Sequence, residues 1–276
     1  MDTSAYLYRR ATEARKLILE MACRSRSAHV GSCLSCVDLL VAIYFKALRC
    51  DRKKWDQRDI FILSKGHAAM ALYAVLALKG LLEKKKLEGY FCDKGTLPAH
   101  LDRLSCPAIE VSAGSLGHGF NIGLGMAYGF KQRREKRRVY VLIGDGESEE
   151  GSIWEGAIFA SKLKLDNVTV LMDHNDLQGY GRPTQLCHFE PVLSKWRSFG
   201  WEAFRVDGHD FSKITSVLKK KPAGKPRIIV CDTLKGKGVS FMEDQMKWHY
   251  FIVTDEFRQQ AMKELCGISY EKRRHQ

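Results

Sequence analysis

Two short apolar runs rich in β-branched residues sit either side of a segment of helical length: Val139-Tyr-Val-Leu-Ile143 and Val168-Thr-Val-Leu-Met172. That pattern predicts a βαβ unit, because parallel neighbours can be joined only by a crossover connection. The expected fold class is therefore α/β, a parallel sheet flanked by helices. Gly144-Asp145-Gly146 follows the first run directly, and Asp173-His174-Asn175 closes the second. In such sheets, groups just past the carboxyl ends of adjacent strands meet at one crevice. Asp145 and Asn175 are thus expected at a single point.

The residue types suggest what that point can do. Asp145 offers a carboxylate oxygen, Asn175 an amide oxygen and Leu177 a backbone carbonyl. A few protein oxygens, with positions left for phosphates, is how Mg²⁺ is usually held. Gly144 and Gly146 let the backbone approach an anion, and a following helix would aim its N-terminus at it. An acidic turn at a strand end has the same spacing and no ligand, so both readings stand at this level.

The flanking sequence supplies more elements. Leu7, Ala11, Ala14, Leu17, Ile18 and Met21 mark one helical face over 5–22. A second helix is expected from about Ser35 to Lys46, with Asp38 in its first turn, where negative charge suits the dipole. Asp59-Ile-Phe-Ile-Leu63 reads as a strand, Ser64-Lys-Gly-His67 as a turn, and 68–79 as an apolar helix. A loop-rich span, 89–113, carries Pro98-Ala-His100. The glycine-rich turn Ser112–Gly119 leads into a helix over 120–130. Further strands are expected at 201–206 and 227–232, and further helices at 190–199 and 211–221. Taken singly, His67, His100 and His249 read as structural histidines.

Composition narrows the class. A chain of 276 residues, 45% hydrophobic and 28% charged, suits one large soluble domain, 1–276, with a charged tail expected to fray at about 270–276. No apolar stretch is long enough for a bilayer, and the first residues lack a signal-peptide core; a cytoplasmic protein is expected. The net charge of +13 comes from dispersed basic runs without interleaved aromatics, which argues against nucleic acid. Nine cysteines include a single Cys33-x-x-Cys36 pair, too few ligands at metal spacing for zinc, so reduced thiols are expected.

Gly144-Asp145-Gly146 with Asn175 resembles the thiamine diphosphate motif, and the whole stretch from Gly144 to Gly181 is similar to the cofactor-binding domain of transketolases. The resemblance runs over roughly residues 10–249. It implies a thiamine diphosphate-binding fold and transfer of a two-carbon ketol unit from a ketose, or its phosphate, to an aldose. It implies Mg²⁺, or Ca²⁺ or Mn²⁺, on Asp145, Asn175 and the Leu177 carbonyl. His67, Gly114, Ser115, Leu116, Gly146, Asn175 and His249 match cofactor contacts. Glu150 matches a carboxylate at the subunit contact beside the cofactor. His29, His100 and His249 match histidines that handle sugar hydroxyls and protons. Tyr250 departs from the glycine that commonly follows the last of these.

Transketolases grip the aminopyrimidine ring with a second domain that has no match here. The resemblance therefore implies the N-terminal subunit of a split transketolase, working with a C-terminal subunit that carries the pyrimidine domain, as a heterotetramer with two copies of each. Alternatives are a subunit of a deoxyxylulose phosphate synthase-like or 2-oxo acid dehydrogenase-like enzyme, or an idle paralogue acting as a scaffold.

Overall fold

A computed structural model describes residues 3–267; the tail expected at 270–276 lies outside them. Five strands form one all-parallel sheet in the order β1-β2-β3-β5-β4. They are β1 (Ile60–Leu63), β2 (Val139–Gly144), β3 (Val168–His174), β4 (Glu202–Asp207) and β5 (Arg227–Asp232). Gly144 at the end of β2 pairs with Asp173 on β3, and Asp173 in turn with Cys231 on β5. The expected α/β class is the observed one.

Side chains alternate across a strand, and that alternation builds two cores. Phe61, Leu63, Tyr140, Leu142, Leu171 and Ile229 face one layer of helices: α1 (Thr3–Ser25), α2 (Val30–Ser35), α3 (Val37–Ala42), α4 (Ala69–Lys79), α9 (Phe211–Leu218) and α10 (Asp255–Cys266). Ile62, Val141, Ile143, Val170, Met172 and Val230 face the other: α5 (His118–Gln132), α6 (Gly151–Lys162) and α8 (Val192–Ser198). A short helix, α7 (Pro183–Leu186), lies between β3 and α8. On the second face the buried Trp196 sets its ring 4.9 Å from Trp201 and 5.1 Å from Trp154.

Three boundaries differ from expectation. The second helix begins at Val30, breaks at Cys36, and ends in a wide turn at Ile43–Ala47. Its start has no side-chain cap; His29 holds φ at 68° and donates its N–H to the His249 carbonyl at 2.9 Å. That long-range bond leaves no local mark in the sequence. Asp38 does stand in the first turn of α3, but its carboxylate is buried between Arg15 (2.7 Å) and His209 (2.6 Å). After Asp145 comes a 3₁₀ turn, Gly146–Glu149, and α6 starts only at Gly151. The helix end beside Asp145 is therefore one short turn.

Candidate active site

The carboxyl ends of four strands deliver the site. Ser64, Lys65 and His67 follow β1, Asp145 to Glu147 follow β2, Asn175 and Leu177 follow β3, and Lys235 follows β5. Seen from residue chemistry, the arrangement is a set of buried charges around a hollow of about 490 Å³. Asp145, Gly146, Asn175, Leu177, His67, Leu116, Glu150 and His249 all line it. Each was expected from the sequence as a site residue, and the fold brings these eight together.

Asp145 is 5% exposed. One carboxylate oxygen accepts from the Gly146 N–H at 2.8 Å; the other, Oδ2, is buried with no hydrogen-bond partner. A buried acceptor left alone costs about 1–3 kcal/mol, more if charged, so this oxygen fits a site built to receive a donor or a cation. Burial raises the Asp145 pKa, reinforced by Asp173 and opposed by Lys65. Asn175 Oδ1 accepts from the Leu177 N–H at 3.1 Å, which occupies one of its two lone pairs. Among the described residues no three His, Cys, Asp or Glu side chains stand close enough to hold a metal by themselves. A divalent ion at Asp145 would rely on neutral oxygens and on an incoming phosphate, the usual Mg²⁺ arrangement.

Two buried lysines were not singled out in the sequence. Lys65 is 1% exposed and reaches Asp173 at 2.5 Å; burial opposes its charge, but Asp173 holds its pKa above the usual value. Lys235 is fully buried and donates to the Leu177 carbonyl at 2.7 Å. Burial first, and Lys65 second, lower its pKa to about 8. Lys235 Nζ also lies 3.0 Å from His249 Nδ1. An ammonium can only donate, so Nδ1 accepts and the His249 proton sits on Nε2.

Four imidazoles cluster here; His67 and His249 line the hollow, and His29 and His100 do not. The His29 ring lies 5.0 Å from His249, 5.3 Å from His67 and 5.9 Å from His100. Burial, then the positive charge around them, lowers His29 to about 4 and His249 to about 3, so both are neutral at pH 7; His67 is lowered for the same reasons. Tyr250 sets its ring 4.6 Å from His249, with its hydroxyl over Gly179.

The 114–117 turn reaches the hollow only through Leu116; Gly114 backs onto His100, and Ser115 is exposed. Gly117 holds φ at +78° and donates its N–H to the buried Glu147 carboxylate at 2.9 Å. Glu147 also accepts from Gly144 N–H and the Ser64 hydroxyl. One carboxylate thus ties the glycine turn to the ends of β1 and β2. Cys33 and Cys36 are free, buried thiols, with Cys33 raised to about 12 by burial.

Residues 8–272 match the family described as transketolase, thiamine diphosphate binding domain. A 6-deoxy-6-sulfo-D-fructose transketolase subunit from a Clostridium species is 39% identical over 94% of this chain and 96% of its own length. One of the apulose-4-phosphate transketolase subunits, that of Phocaeicola vulgatus, is 36% identical over 91% and 90%. The transketolase of Campylobacter jejuni superposes with a TM-score of 0.89 at 26% identity, covering 98% of this chain. The chain spans 44% of that structure's length, and 40% of human transketolase, to which it is 35% identical. Its match to the separate subunits is close to end to end, whereas its match to the long enzymes is confined to part of them. The chain belongs to the transketolase thiamine diphosphate-binding family, as the N-terminal subunit of a split transketolase.

Proposed function

We propose that this chain holds Mg²⁺ and the diphosphate half of thiamine diphosphate, and that with a C-terminal partner subunit it transfers a two-carbon ketol unit from a ketose to an aldose. The observation that carries the reading is the unpartnered Asp145 Oδ2 beside Asn175, two buried ammonium groups and a ring of imidazoles, all at one sheet edge. Asp145, Asn175 and the Leu177 carbonyl would hold the metal; Ca²⁺ or Mn²⁺ could replace it. Lys65 and Lys235 supply positive charge for the diphosphate, and His67, the Gly114–Leu116 turn and Gly146 would border it. When bound, thiamine diphosphate supplies an electron sink for breaking the carbon–carbon bond beside a carbonyl.

The chain's own residues handle protons and position. His29, His100 and His249 are assigned to the sugar hydroxyl and carbonyl oxygens, where an imidazole can accept a proton and return it. The Nε2–H of His249 is a donor, and its Nδ1 is held by Lys235. The named substrates of two relatives, a sulfonated and a phosphorylated sugar, both carry an anionic group; an anionic ketose is the substrate class proposed here. Glu150, exposed at the rim, is placed at the contact with the partner, and two copies of each subunit form the assembly. The buried, protonated Cys33 and Cys36 suit a reducing compartment, the cytoplasm.

Ketol transfer measured with the purified chain, alone and mixed with a pyrimidine-domain subunit, tests the proposal. No turnover alone and turnover with the partner is the expected result. Robust turnover by the chain alone would refute the division of labour.

A further inference from the structure

Asp173 is the most heavily engaged side chain beside the site, and none of the roles above uses it. It is the penultimate residue of β3, is fully buried, and stands between Gly144 of β2 and Cys231 of β5. One carboxylate oxygen accepts from the Thr233 hydroxyl at 2.5 Å. The other accepts from Lys65 Nζ at 2.5 Å, from the Ser35 hydroxyl at 2.6 Å and from Asn175 Nδ2 at 3.3 Å. Asn175 Nδ2 also lies 3.3 Å from Ser35 Oγ.

These bonds fix which way the Asn175 carboxamide points. A carboxylate can only accept, and the Leu177 N–H at the other end of the amide can only donate. The NH₂ must therefore face Asp173 and the oxygen must face Leu177. A flipped amide would set oxygen against carboxylate and NH₂ against N–H, losing both bonds. The same carboxylate oxygen holds Lys65, whose ammonium is also bonded to the Ser32 carbonyl at 3.3 Å. One buried charge thus sets the orientation of an amide and the place of an ammonium at the same hollow.

We infer that Asp173 is a positioning residue for the metal–diphosphate site: it keeps the amide oxygen of Asn175, and not its NH₂, available beside Asp145, and it anchors Lys65 next to it. The inference rests on the proposed metal site and adds a residue to it. The physical analogy is the carboxylate that orients a metal-bound histidine, where loss of the outer partner costs about 10- to 100-fold in metal affinity.

Mn²⁺ binding to the chain assembled with its partner, in the presence of thiamine diphosphate, reads this without any turnover; free Mn²⁺ is followed by electron paramagnetic resonance. Asp173→Asn is expected to weaken Mn²⁺ binding by about 10- to 100-fold. Thr233→Val removes a donor from the same carboxylate without touching Asn175; it should lower the melting temperature and leave Mn²⁺ affinity within about twofold of wild type. Wild-type affinity in a folded Asp173→Asn complex would overturn the inference. So would losses in the two variants that simply track their melting temperatures, since that is the behaviour of a purely structural residue. Should Asp173→Asn fail to fold, Ser35→Ala decides the matter. It takes away the amide's second acceptor, and should weaken Mn²⁺ about 2- to 10-fold; unchanged binding would overturn the inference. If the wild-type complex binds no Mn²⁺, the proposed metal site fails first.

Discussion

At the residue scale the site is an exercise in keeping charge buried. Lys65 pairs with Asp173 at 2.5 Å with almost no water around them, and breaking that pair would leave a far more costly unpaired buried charge; the buried Lys235 bonds instead to the Leu177 carbonyl and His249. Burial first, and the lysine charges after it, keep His29, His67 and His249 neutral. That has a consequence for stability with a definite sign. His29 and His249 have folded pKa values of about 4 and about 3, against an ordinary 6.5. Between those values the unfolded chain binds protons that the folded chain refuses, so stability is full above pH 6.5 and is lost as pH falls. Solvent reaches both rings, so the loss between pH 7.5 and 5 is put at about 2 kcal/mol for the pair. Urea unfolding at the two pH values should show it, and His249→Gln should remove about half of the difference. An equal pH dependence in the variant would contradict the assignment.

Asp145 and Asn175 could be placed at one point from the sequence because each follows an apolar run that reads as a strand, and the longer resemblance from Gly144 to Gly181 singled them out. Lys65 and Lys235 could not. In a chain with 45 Lys and Arg residues, a lysine after a strand looks like any solvated one, and only the packing of α2 against the strand ends buries it. Asp173 was hidden for a related reason, since an acidic residue within a strand carries no signal until its partners from three other segments, Ser35, Lys65 and Thr233, are placed.

At the scale of elements, the glycine turn shows how local geometry is set by distant parts. Gly117 needs a left-handed φ, and a Cβ there would lie 2.3 Å from Ser152 Oγ and 3.3 Å from Glu150 Cβ. Gly117→Ala is expected to cost about 1–2 kcal/mol from the backbone alone, with more from the crowding. A lowered urea midpoint would bear this out, and an unchanged one would show that the turn can relax. The βαβ unit and four of the five strands were legible because parallel, doubly covered strands read as largely apolar runs; β4, at the sheet edge, shows instead the alternation of a half-buried strand. The start of α2 was not legible, because His29 is held by a backbone bond to His249 rather than by a capping side chain. α10 was missed too, although Thr254 accepts from the Phe257 N–H and Asp255 and Glu256 fill the first turn, a start signal that could have been read.

On the scale of the whole molecule, the charge and the site point to the same division of labour. The hollow has the charges the proposed diphosphate and divalent ion would need, and its lining includes His67, His249 and the exposed Tyr180. In the proposed assembly the aminopyrimidine half of the cofactor would be left to the partner subunit. No described helix is long and apolar enough to cross a membrane. Central to the account is that Asp145 holds the metal through which the diphosphate is bound. Titration calorimetry of thiamine diphosphate into the assembled complex, with and without Mg²⁺, tests it for wild type and for Asp145→Ala. The account predicts Mg²⁺-dependent binding that the substitution abolishes; an Asp145→Ala complex that binds the cofactor with wild-type affinity and the same Mg²⁺ dependence would contradict it.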